Sequence, residues 1–166
     1  AWIMALLLKL QPQDFAALHL GSMMHLVLRL IASFCGVFGF SIMFNSSVYM
    51  AATAACIGAI ANTLRLELVD FTGMPSAAAA FIGALTAGLL ASIIKRNHGY
   101  PRISLTVPSI VIMVPGLYLY RAIYNFGIMS LTEAVSWFAA AIMIIASLPL
   151  GLIFARILTD RTFRYC

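Results

Sequence analysis

From Thr106 to Gly116 the chain reads Thr-Val-Pro-Ser-Ile-Val-Ile-Met-Val-Pro-Gly, placing Pro108 and Pro115 seven residues apart within an apolar run. Proline removes a backbone donor and crowds the carbonyl four residues back. The surroundings leave little choice of solvent. Of 166 residues 63% are hydrophobic and 9% charged, whereas soluble domains carry about a quarter charged residues. Hydrocarbon offers no water to satisfy freed backbone groups, so an interrupted segment must face protein or a wet cavity. Broken helices at membrane depth are where transporters often hold their substrates.

A net charge of +5 raises the question of nucleic acid, but the basic residues gather on no helix or patch. They stand at the ends of apolar runs, as membrane topology signals do, so no nucleic-acid partner is expected. Cys35, Cys56 and Cys166 share no short spacing, and neither a metal site nor a disulfide framework is signalled. The first two read as small fillers of a helix bundle. Trp2–Leu10 is apolar but too short to span alone and lacks the basic start of a signal peptide. Residues 1–27 are therefore expected to be a membrane-associated or interfacial segment, 28–158 the transmembrane module and 159–166 a basic cytoplasmic tail.

A crossing helix needs about 20 mostly apolar residues. Runs at roughly 28–44, 48–64, 76–94, 103–120 and 131–154 meet that need. The expected architecture is an all-α, polytopic bundle of five transmembrane helices, the fourth broken by prolines. Lys95, Arg96 and Arg102 share one loop, and Arg156, Arg161 and Arg164 follow the last run. Five crossings put both groups on one side, which the positive-inside rule makes cytoplasmic. Ala51, Ala55 and Ala59 recur every four residues, as do Ala54, Gly58 and Asn62, then Gly83, Ala87 and Ala91 beside Ala84, Gly88 and Ser92. Such ridges let helix backbones touch. Packing within one chain explains them more simply than a dimer seam, although so many smooth faces suggest further contact partners.

On a helix Pro108 and Pro115 lie on nearly one face. A helix restarting at Pro115 or Gly116 presents unpaired N–H groups and the positive end of its dipole, a seat for a carboxylate. Tyr118, Tyr120, Arg121 and Tyr124 follow within two turns. A kinked structural helix with its tyrosines in the interfacial belt is the competing explanation. Asn45 and Asn62 are path-lining candidates, with a turn and an interhelical hydrogen bond as their plainer roles. Arg29 is expected to snorkel to the interface. Arg65 and Glu67 are expected at the outer water boundary, where a pair contributes little.

Glu67, Asp70 and Glu133 fall at the edges of runs, so the chain has no deeply buried acid of the kind proton-coupled carriers use. No His-Glu-x-x-His, paired intramembrane aspartates or Gly-x-Ser-Gly occurs, so neither an enzyme nor a cofactor is indicated. What remains is a transport component or a scaffolding subunit without a substrate site of its own.

Phe40-Ser-Ile-Met-Phe-Asn45, Gly58 with Arg65, Pro101, Val107-Pro108, Met113-Val-Pro-Gly116 and Tyr120-Arg121 together resemble the threonine/serine exporter family. The likeness is to its smaller module, and it covers roughly residues 30–158. It departs at Ser46-Ser47, where the family pattern leads one to expect a proline. The resemblance implies a bacterial inner-membrane exporter of small amino acids such as threonine and serine, or of succinate-like dicarboxylates. It also implies a larger membrane subunit, or a homo-oligomer, as partner in the bilayer. Carried over residue by residue, the substrate-binding positions are Asn45, Pro108, Pro115, Gly116, Tyr120 and Arg121.

Overall fold

The computed structural model describes residues 22–160 together with Met4 and Leu8. The expected interfacial segment before Ser22 and the tail beyond Asp160 otherwise lie outside the described residues. The described chain is helical throughout: α1 Ser22–Met43, α2 Val48–Thr72, α3 Ser76–His98, α4 Arg102–Val111, α5 Gly116–Gly127 and α6 Leu131–Thr159. Four of these helices are long and apolar enough to cross a membrane, and α4 with α5 forms a fifth candidate bent by 44°.

That bent pair is a broken crossing and not a re-entrant loop. At the start of α4, Arg102 Nη1 donates to Thr159 Oγ1 at the end of α6 over 3.2 Å. At the other end of the pair, Gly127 is joined to Leu131, the first residue of α6, by only residues 128–130. The pair thus runs the whole length of α6, about 43 Å at 1.5 Å per residue. One end of the bundle, here the tail end, holds the 44–47 turn, the 99–101 loop and Asp160. The far end holds the 73–75 and 128–130 turns.

The turns explain themselves locally. Asn45 takes φ 60° between α1 and α2, a left-handed conformation that asparagine tolerates. Gly73 ends α2 at φ 62°, donating its N–H to Val69 O, the usual glycine C-cap. Ser76 is the first residue of α3.

The core is made of small residues. The tightest pairings are α3 on α6 and α1 on α2. A Cβ added at Gly151 would lie 2.6 Å from Phe81 O and 2.8 Å from Ala84 Cβ. One at Gly88 would lie 2.5 Å from Ala155 Cβ, and one at Gly58 2.6 Å from Val37 Cγ2 and 3.1 Å from Ser109 Cα. Ala51, Ala54, Ala55, Ala59, Ala84, Ala87 and Ala91 are all buried. Both ridges of α2 and α3 are therefore used inside the chain, and they call for no second copy. Many large apolar side chains point outward, Leu30, Ile142, Met143 and Phe154 among them, as lipid solvent allows, while Ile57, Leu105, Met113 and Ile144 are buried. Cys35 and Cys56 lie on this outer surface as free thiols and do not fill the core as expected.

We expect Gly151→Leu to destabilise the bundle by about 3 kcal/mol, the upper part of the usual overpacking range, because backbone blocks the new side chain. Gly39, with nothing within 4 Å of its missing Cβ, is the control, and Gly39→Leu should not destabilise. Thermal unfolding in detergent compares the two.

Two further expectations need correcting. Helix α2 does not end near Leu64 but continues to Thr72, two turns further. Helix α4 runs straight through Pro108. Thr106 Oγ1 donates to Arg102 O at 3.0 Å, and the single Ser109 Oγ proton has Leu105 O at 2.6 Å and Ala54 O at 3.0 Å as its acceptors. None of these is the carbonyl that Pro108 deprives of its donor, which is that of Ser104.

Candidate functional site

The chain breaks only once in the fourth crossing, at residues 112–115. Met113 N bonds to Ile110 O and Val114 N to Val111 O, tightening the end of α4. Gly116 N then bonds back to Val114 O at 2.8 Å, and Leu119 N to Pro115 O starts α5. With ten residues before it and twelve after, the break falls midway along the crossing. The N–H groups of Leu117 and Tyr118 are those that a helix start cannot pair internally. The positive end of the α5 dipole lies with them.

Two glycines admit the break to the bundle. Ile112 Cδ1 lies against Gly36 of α1, and Met113 Sδ against Gly83 of α3. Met113 is fully buried. Its carbonyl accepts a hydrogen bond from Arg65 Nη1 at 3.2 Å, so α2 plants a guanidinium on the interrupted backbone. Arg65 Nε is buried without a partner, as are Asn62 Oδ1 and Thr63 Oγ1 in the preceding turn. Unsatisfied buried polar groups are uncommon and ask for an explanation. Asn62 Nδ2 donates to Ser33 Oγ at 2.8 Å, the interhelical role expected for it.

Arg65 does not pair with Glu67 at a water boundary. Glu67 Oε1 instead receives Arg29 Nη1 at 3.0 Å, and Asp70 takes the other arm of the same guanidinium. Arg29 turns inward to clamp α1 to α2 at the far end and does not snorkel outward.

The proposed substrate positions fall in several places. Pro115 is buried at the break, and Gly116 opens α5 with nothing within 4 Å of its missing Cβ. Its φ is not left-handed, so the glycine is not required for backbone latitude as its neighbourhood with proline suggests. Tyr120 stands one turn above it on the same face, with Tyr124 a further turn on and the two rings 6.4 Å apart. Arg121 faces elsewhere: its guanidinium lies 4.7 Å over the Trp137 ring of α6, where Tyr118 also packs edge-on. Pro108 is buried near the α2 contact. Asn45 lies in its turn at the tail end, away from all of these. Arg65 is the residue that sequence reasoning passed over. Among the described residues no group of His, Cys, Asp and Glu is placed to hold a metal ion.

Five apolar crossings around a mid-depth backbone break define a polytopic membrane protein of transporter type. The family can be stated as well: the threonine/serine exporter (ThrE) family matches residues 29–158, most of the chain, and the chain belongs to that family. No curated protein and no solved structure matches it.

Proposed function

We propose that this chain exports small amino acids, threonine and serine first, as one module of a transporter completed by a larger membrane subunit. The substrate carboxylate is met at the break by Arg65 and by the Leu117 and Tyr118 N–H groups. Succinate-like dicarboxylates are the second substrate class. The observation that carries the reading is the Arg65 guanidinium on Met113 O with its Nε unpaired. A charged donor held at mid-depth is costly unless it serves a function.

The partner is proposed from the face of α5. Gly116 is open, and Tyr120 and Tyr124 line the same side. The Tyr120 hydroxyl, one turn beyond the break, needs polar company, which a second subunit and the substrate between them supply. Lys95, Arg96, Arg102, Arg156, Arg161 and Arg164 favour a cytoplasmic tail end, in a bacterial inner membrane. The module transports and does not catalyse.

The test is efflux of labelled threonine and labelled succinate from preloaded cells, with the protein alone and with any larger membrane protein that co-purifies with it. Threonine efflux above the empty host is expected once the partner is present. No efflux of either compound under either condition would overturn the reading.

A further inference from the structure

Thr53, Thr72, Thr86, Thr106 and Thr159 each return their hydroxyl to the carbonyl four residues back, a common resting place for a threonine inside a helix. Thr63 does not. Its Oγ1 has no partner although the residue is only 6% exposed. Its neighbours show where it lies. Asn62 Nδ2 reaches Ser33 Oγ on α1, and Glu67 Oε1 takes Arg29 Nη1 from the same helix one turn away. Both bonds cross the seam between α1 and α2, and Thr63 stands between their levels. Thr63, Glu67 and Asp70 are spaced by four and then three, so they share one ridge of α2. Arg65 faces the other side of that helix, toward Gly83 and Met113. A buried hydroxyl that leaves its own backbone alone thus lies beneath two carboxylates, beside the equally unpaired Asn62 Oδ1.

This cluster is rich in acceptors and short of positive charge. Arg29 engages one oxygen of each carboxylate, and its single charge stands against two negative ones. Carboxylate, hydroxyl and amide oxygens, with no nitrogen or sulfur donor, suit a hard cation. A divalent ion would leave positive charge in excess beside the guanidinium, whereas a monovalent ion balances the set. The 2.8 Å bond between Asn62 and Ser33 holds the helices close, which favours the smaller alkali ion. We propose that the α1–α2 seam binds sodium through Thr63 Oγ1, Asn62 Oδ1 and the second carboxylate oxygen of Glu67. A proton on Glu67 is the rival, but it would leave Thr63 Oγ1 and Asn62 Oδ1 unserved. Binding at this site is independent of the exporter reading. Its role rests on that reading: the far end faces outward by the positive-inside rule, so sodium entering there is placed to drive efflux.

Thermal unfolding in detergent, with sodium chloride replacing choline chloride at constant ionic strength, tests the proposal. Sodium should raise the melting temperature saturably, and potassium should not match it. Thr63→Val, which removes little beyond the hydroxyl, should need about ten-fold more sodium for the same rise, as expected for losing a contact to a charge. In choline the same variant should melt no lower than the unaltered protein, because the lost hydroxyl bonded nothing there. A threonine with a purely structural role produces neither result. Equal melting in sodium and choline, an equal rise with potassium, or an unaltered sodium response in Thr63→Val would overturn the site. Threonine efflux in the presence of the partner separates the two readings. Efflux that continues in choline, with a melting temperature indifferent to sodium, overturns the site and leaves the exporter reading standing. A sodium-dependent melting temperature without any efflux does the reverse.

Discussion

Replacing Arg65 with Gln should lower threonine efflux by about ten- to hundred-fold, the value of a charge-assisted contact to a carboxylate in a site shielded from water. The same change leaves the carbonyl of Met113, now donated to over 3.2 Å, with a weaker partner. A moderate loss of thermal stability, about 1 kcal/mol, should therefore accompany it. Arg65→Lys separates the two effects. A lysine ammonium supplies a donor to one carbonyl, but not the planar fork that holds a carbonyl and a carboxylate together. We expect Arg65→Lys to recover stability without recovering efflux. Efflux at the unaltered level in Arg65→Gln, with the protein correctly inserted, would remove the guanidinium from the transport path.

The importance of Arg65 was hidden in the sequence for a definite reason. Arg65, Glu67 and Asp70 follow an apolar run, and a charged cluster there has the form of a membrane boundary. Their partners are remote: Met113 is 48 residues from Arg65, and Arg29 is 38 from Glu67. No local pattern reports a bond across that distance, so α2 was expected to end two turns early. Features that depend only on local physics were legible. The apolar runs gave the five crossings, the Asn-Ser-Ser turn separated the first two, and the Pro-Gly pair located the break at mid-depth. The alanine and glycine ridges were legible as contact surfaces within one chain, but which helices they meet was not.

Pro108 and Arg121 show two further kinds of miss. Pro108 was read together with Pro115 as part of one interruption, yet α4 passes through Pro108 and the chain breaks only after Val111. Tyr120 and Arg121 were grouped because they are neighbours in sequence. Neighbours on a helix point about 100° apart, and Arg121 belongs with Tyr118 at a spacing of three, both against Trp137. Helical periodicity alone was sufficient to separate them.

Gly116→Leu is the sharpest test of the open face of α5. Within this chain the substitution is benign: nothing lies within 4 Å of the added Cβ, the backbone is not left-handed there, and leucine favours the helix over glycine by roughly 0.5–1 kcal/mol. Insertion and thermal stability of the isolated chain should be unchanged or slightly improved. Efflux should nevertheless fall to background, because the leucine fills the space that substrate or partner occupies beside Tyr120. Gly116→Ala, which adds one methyl group, should retain a substantial part of the activity, as a steric cause requires. If co-purification of the larger subunit survives Gly116→Leu while efflux is lost, the space belongs to the substrate path. If co-purification is lost as well, the face is the subunit contact. Full efflux in Gly116→Leu would mean that this face meets only lipid, leaving Arg65 and the α5 N–H groups as the whole of the substrate contact and removing Tyr120 from it.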